Sequence, residues 1–318
     1  MYNFKNFEEV YKTVRNVTEA LEFPPYITFE LTSFCNLKCV MCSHTYMGRS
    51  QSHMDFELFK KAIDQIAVYG SAIRFIGFSE PFMHPKIMDA IRYVKSKGLL
   101  LHITNNGTVL KKEQIDQLLE IGVDSVIFSM QGTTKEEYET IRQNDKYEKL
   151  IENAKTLFER RGKDRKSPSI KITTTITSRD SEESAKEFLQ AHAAYTDEVQ
   201  ISGWTIFSRV SGDFNRNEIA NNLGVLPFSK NENATCMIPL YEMSINSNGK
   251  VSPCCDDADE SLVIGDINKQ SLLEIWHSEK MKNVRDLTTS GKLDELTNCA
   301  NCPQNFSESP VFAVHDKK

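Results

Sequence analysis

The chain has 318 residues, 40% hydrophobic and 26% charged, with 38 basic and 44 acidic side chains and hence a net charge of −6. This is an ordinary globular profile, long enough for one large domain or two with a sizeable core. The acidic balance excludes a broad basic surface for nucleic acid, and no run of about 18 apolar residues exists to span a membrane.

In chain order, residues 1–23 mix charged and apolar side chains and read as a short helix, not a signal peptide, so a cytosolic, reducing compartment is expected. Residues 26–32 (YITFELT) alternate and are rich in β-formers, so a strand runs straight into a cysteine loop. Residues 55–69 carry helical apolar spacing. A strand is expected at 72–77, and Pro85 opens a helix that Gly98 ends. Strands at 99–104, 123–129, 170–177 and 198–202 then alternate with helices at 111–120, 147–161 and 182–194. A basic loop reaches Lys166.

Six strands separated by helices argue for a parallel sheet wrapped by helices. Six units are too few for a closed eight-stranded barrel, so the expected fold is α/β, a partial (β/α)6 TIM barrel open on one side. Chemistry in such barrels sits at the C-terminal strand ends, where the cysteine loop lies. From about Asn231 the pattern changes. Strands at 241–245 and 250–252 flank Asn246-Ser247-Asn248-Gly249, a hairpin signal, and 271–287 reads as one helix. The expected division is an N-terminal helical extension at 1–25, the barrel at 26–230 and a small cysteine-rich module at 231–318. The link from 203 to 230 carries no readable pattern, and the tail after Pro303 is expected to be loosely ordered.

All eight cysteines fall into two groups: Cys35, Cys39 and Cys42, then Cys236, Cys254, Cys255, Cys299 and Cys302. Two metal sites follow from that distribution. The first group is spaced C-x3-C-x2-C. Three thiolates on one short loop suit three irons of a [4Fe–4S] cube and leave the fourth iron open for a small molecule. A zinc site usually pairs its ligands as C-x2-C and completes a set of four, which fits this loop poorly. Four cysteines in the second module fit zinc on spacing alone.

These residues resemble the radical S-adenosylmethionine (SAM) enzymes, whose hallmark is a C-x3-C-x2-C loop after the first strand of a partial six-unit barrel. The resemblance implies that the open iron chelates SAM and that reductive cleavage yields a 5′-deoxyadenosyl radical, which abstracts a hydrogen atom. It extends over most of the first 200 residues. Gly77-Phe78-Ser79-Glu80-Pro81 looks like the family's Gly-Gly-Glu-Pro turn, with Ser79 in place of the second Gly; Glu80 is expected to face the SAM amino group. Thr104-Asn105-Asn106-Gly107 resembles the turn that reaches the SAM ribose, with Asn105 the candidate. Ser129 ends the fourth strand where the family often has Ser-x-Asp-Gly, and Gln131 replaces that Asp. Met41 stands where an aromatic usually precedes the third cysteine.

The C-x12-G-x4-C run from Cys236 through Gly249 to Cys254, with the later C-x2-C, resembles the auxiliary-cluster modules called SPASM and twitch. No cysteine follows Cys302, as in the shorter twitch version with one cluster. The resemblance assigns Cys236, Cys254, Cys299 and Cys302 to a second [4Fe–4S] cluster and leaves Cys255 over, its side chain pointing away from the cluster. Cys255 is then a small buried hydrophobe or a hydrogen-atom donor to a substrate radical.

The single-auxiliary-cluster layout looks most like the sugar and aminocyclitol branch, which holds 2-deoxy-scyllo-inosamine dehydrogenase and neomycin C epimerase. Expected partners are a small sugar or aminocyclitol substrate and a flavodoxin- or ferredoxin-type electron donor, with neither nucleic acid nor membrane. The alternative is a peptide-modifying maturase or epimerase; such enzymes often carry an N-terminal recognition domain, and 25 residues precede the first strand here. An electron carrier or a zinc-binding interaction module are the rivals of another class. His44, Trp204, Arg209 and Asp256 are expected near the mouth, with Arg209 facing substrate; His84 and His102 read as structural.

Overall fold

The computed structural model describes residues 1–176, 182–203, 234–300, 302 and 311–316. Its elements are α1 (Phe7–Arg15), β1 (Tyr26–Phe29), α2 (Phe56–Tyr69), β2 (Ala72–Phe75), α3 (Ile87–Ser96), β3 (Leu101–Asn105), α4 (Lys112–Ile121), β4 (Ser125–Ser129), α5 (Lys135–Arg142) and α6 (Tyr147–Arg161). There follow β5 (Ser169–Ile176), α7 (Glu182–His192), β6 (Glu198–Gly203), β7 (Glu242–Ile245), β8 (Lys250–Ser252), β9 (Gly265–Asp266), α8 (Leu272–Trp276), α9 (Glu279–Thr289), α10 (Thr297–Ala300) and β10 (Val311–Asp316). Among the described residues no helix is long and apolar enough to cross a membrane.

β1 to β6 pair in sequence order and all in parallel, each joined to the next through a helical segment. Period-2 alternation gives the curved sheet two different faces. Ile27, Phe29, Ile73, Phe75, Ile103, Val126, Phe128 and Ile172 are fully buried in the core beneath the helices. The opposite face is polar. Cross-strand neighbours there run Glu242, Tyr26 and Thr28, Arg74, His102, Ser125. The helices that cover the outer face are cut by local signals: Asp55 caps α2 at its start, accepting from Leu58 N at 2.9 Å, and left-handed Gly70 ends it. α1 covers the strand starts, with the Phe7 ring 6.3 Å from Tyr26 and 5.5 Å from His102. The lumen therefore opens at the other end, where the strands finish.

Three features differ from the sequence reading. The partial barrel is as expected, but its sheet is longer: β7 pairs in parallel with β1, and β8 and β9 follow antiparallel, so the second module extends the barrel's own sheet. An open barrel leaves β1 and β6 with unpaired edges, and these strands use them. β10 pairs antiparallel with β6 inside the tail expected to be loose. The expected helix at 271–287 is two, α8 and α9, because the Ser278 hydroxyl accepts from Met281 N at 3.2 Å and starts a new helix. The link from 204 to 230, and with it the expected domain boundary, lies outside the described residues.

Candidate active site

The loop after β1 carries Cys35, Cys39 and Cys42 across the strand ends and is tied down on three sides. Glu80 N donates to Phe34 O at 3.0 Å, and Val40 N to Ile141 O at 3.0 Å. Asn36 accepts from Asn106 Nδ2 at 2.9 Å and donates to Thr108 Oγ1 at 2.9 Å. The turns after β2 and β3 and the end of α5 thus fix the loop before any ligand binds.

A cavity of about 190 Å³ lies under it. Its wall brings together Cys35, Cys39 and Cys42 with Ser79, Asn105 and Ser129. Cys255 and Asp256 of the second module reach the same wall, as do His44 and Gln131. Glu80 is not among the lining residues. Its buried carboxylate accepts from Phe82 N at 3.0 Å and Asn106 N at 2.7 Å, so it braces the turns after β2 and β3. Burial pushes its pKa up to about 7. The Asn105 amide is likewise engaged: its Oδ1 accepts from Gly107 N at 2.8 Å and its Nδ2 donates to Ile127 O at 2.9 Å. Gly77 is required by a close approach, since a Cβ there would lie 2.7 Å from Glu30 Cγ. Arg209 and Trp204 lie outside the described residues. His84 and His102 are buried and hydrogen-bonded away from the cavity wall.

Sequence reasoning missed Arg142, which lines this cavity at the end of α5. Its Nη1 lies 3.5 Å from Cys39 Sγ, and its Nη2 donates to the Ser129 carbonyl. The available signal was Thr134-x-x-Glu137, a capping box that both side chains complete in the structure. It starts an amphipathic helix with an arginine at the end.

The second cavity, about 20 Å³, is lined by Cys236, Cys254, Cys299 and Cys302 among Ile238, Pro239, Pro253, Val284 and Leu293. Adjacent residues Cys254 and Cys255 therefore face different cavities.

The donor sets fit iron–sulfur groups. Burial pushes the Cys35 and Cys42 thiols up, to about 11 and about 12, so thiolates there need a metal's charge beside them. Arg142 already supplies one positive charge to Cys39. The three thiols of the loop line the first cavity, beside Cys255, and four line the second.

Known proteins match in the same two parts. The Radical SAM superfamily model matches residues 29–191, just over half the chain, and the SPASM iron–sulfur cluster-binding domain matches 236–303. A tungsten-containing aldehyde ferredoxin oxidoreductase cofactor-modifying protein of Pyrococcus furiosus is 42% identical over 107 residues, covering 33% of this chain and 30% of that protein. The first curated relatives are thus matched over less than half of their length. The SAM-dependent 2-deoxy-scyllo-inosamine dehydrogenase of Niallia circulans is 22% identical over 284 residues, 87% of this chain and 91% of that one. Among solved structures, BtrN in complex with AdoMet and 2-DOIA superposes with TM-score 0.58 at 19% identity, covering 90% of this chain and 94% of that chain. Streptococcus suis SuiB bound to precursor peptide SuiA superposes with TM-score 0.67 at 14% identity, covering 94% and 77%. These two likenesses concern the fold alone.

Proposed function

The chain belongs to the radical SAM superfamily and carries a SPASM domain, and from that premise we propose that it oxidises or epimerises a sugar or aminocyclitol. Cys35, Cys39 and Cys42 would hold a cube with one open iron, and Cys236, Cys254, Cys299 and Cys302 a second, fully ligated one, in modules that divide near residue 230. The first cube, when bound, supplies the electron that cleaves SAM to a 5′-deoxyadenosyl radical, which takes a hydrogen atom from the substrate.

The chain's own residues do the rest. Ser79, Asn105 and Ser129 form the wall against which SAM is placed, and the Glu80 carboxylate keeps the turns around it in register. Arg142 places a cation at that wall, beside Cys39, for an anionic group of the bound molecule. Gln131 and Asp256 offer hydrogen-bonding groups to hydroxyls or amines. Arg209 remains a proposed substrate contact.

One observation carries the reading: Cys255 lines the first cavity while its neighbour Cys254 lines the second. A thiol there gives its hydrogen atom to a substrate carbon radical. The S–H bond breaks, a C–H bond forms on the opposite face and the stereocentre inverts. One electron and one proton then restore the thiol, the electron coming from a flavodoxin- or ferredoxin-type donor. The similarity to the scyllo-inosamine dehydrogenase along 87% of the chain favours a second outcome, loss of a proton and an electron from the same radical, the electron passing to the cluster that Cys236, Cys254, Cys299 and Cys302 would hold. The likeness in fold to SuiB keeps a peptide substrate as the alternative.

The experiment is to incubate reconstituted enzyme with SAM and reductant and to count 5′-deoxyadenosine against a panel of aminocyclitols, amino sugars and short peptides. The expected result is stimulation by the cyclitols and sugars; stimulation by peptides alone would overturn the substrate class.

A further inference from the structure

Cys254 and Cys255 are chain neighbours that line different cavities, and Cys255 is in contact with an arginine of the barrel. Arg74, in β2, donates from Nη2 to Cys255 Sγ at 3.4 Å. That guanidinium is held through Nε, Nη2 and one face. Nη2 also donates to Glu242 Oε1 of β7 at 2.9 Å. Nη2 and Nε reach Thr28 Oγ1 of β1 at 2.9 and 3.2 Å. Its central carbon lies 4.8 Å above the Tyr26 ring. Three strands thus aim one planar fork, a geometry that the flexible ammonium of lysine does not reproduce. Register explains the meeting: Arg74 lies opposite Thr28, and Glu242 opposite Tyr26, all on the lumen face. Replacing a buried Arg–Glu pair by apolar packing of equal volume is often neutral or stabilising, so the pair is weak evidence of a purely structural role.

We propose that Arg74 is the positioning residue of the active site: it holds the Cys255 sulfur at the wall of the SAM cavity and so keeps Cys255 out of the ligand set that Cys254 joins. The inference rests on the reading of Cys255 as the group that meets substrate, but the position of the sulfur is measurable without turnover. The pairing also joins the barrel to the second module across its shared sheet, so the hydrogen donor is placed by the barrel and not by its own loop.

The test labels the anaerobic holoenzyme with iodoacetamide, with and without SAM, and follows Cys255 by mass spectrometry. The cluster cysteines are shielded by iron. In the wild type, SAM at about ten times its Kd slows labelling roughly tenfold, as occupancy of the shared cavity requires. The double variant Arg74→Met with Glu242→Gln avoids an orphaned buried carboxylate, and Arg74→Lys keeps the charge but loses the fork. In both, SAM protection of Cys255 is expected to fall to about twofold or less, because the sulfur no longer stays where SAM sits. Full protection in both variants would overturn the proposal, as would a wild type that SAM does not protect. If labelling behaves as expected but no substrate-derived product carries solvent hydrogen, the donor reading fails and the positioning role stands.

Discussion

Two single side chains show how the lumen trades solvation for chemistry. Arg142 is buried with its Nη1 3.5 Å from Cys39 Sγ, and its charge would favour the more negative, reduced state of a cluster held by that sulfur. Arg142→Met should lower the midpoint potential by roughly tens of millivolts, read by potentiometric titration with spectroscopic detection. An unchanged potential would mean the guanidinium serves packing only. His102 makes the opposite case. Burial first, then the charges of Arg74 and Lys171, hold its pKa down at about 3. The unfolded chain binds a proton near pH 6.5 and the folded one does not, so stability present above pH 6.5 is lost as pH falls toward 3. Between pH 7.5 and 5 that loss is about 2 kcal/mol. His102→Gln should remove it from the difference between urea midpoints at the two pH values; an equal difference in both proteins would refute the assignment. Both residues were beyond sequence reasoning in this respect. His102 was read as structural, and nothing local to the sequence places Arg74 and Lys171 around it.

At the scale of elements, what was legible depended on whether the cause was local. The six parallel strands and most of their helices follow from apolar spacing, and the hairpin from Asn246-Ser247-Asn248-Gly249. Gly249 adopts φ +87, and a Cβ there would lie 2.5 Å from the Asn268 Nδ2 that bonds the turn. Gly249→Ala should cost about 1–3 kcal/mol, the usual range for backbone strain at such a position. It should also weaken retention of the proposed second cluster, since Cys254 lies two residues beyond the end of β8. Chemical denaturation with parallel iron analysis measures both, and wild-type values would contradict the account. α5 went unread because its eight residues are short and strongly charged, although the Thr134–Glu137 box marks its start. The pairing of β7 with β1 was unreadable for another reason: no local pattern announces that two strands more than two hundred residues apart share an edge.

Among the described residues one sheet carries two cysteine-lined cavities, and adjacent residues, Cys254 and Cys255, face different ones. The cysteine spacing picked out side chains that line two separate cavities. It did not locate Arg74, Glu242 and Thr28 on three strands, nor Arg142 beside Cys39 on a fourth element. Those meet only through the register of the sheet and the curvature of the barrel, which spacing does not encode. Glu80 is the converse case: the motif marked it, and its carboxylate accepts from two backbone amides of the flanking turns. The central claim is that Cys255 delivers a hydrogen atom into the SAM cavity. The measurement is turnover of an aminocyclitol substrate in D2O by the wild type and by Cys255→Ala, each reconstituted and supplied with SAM and reductant. The account predicts one deuterium at the inverted carbon in the wild type and none in the variant. An oxidised product without deuterium, formed equally by both proteins, would contradict it.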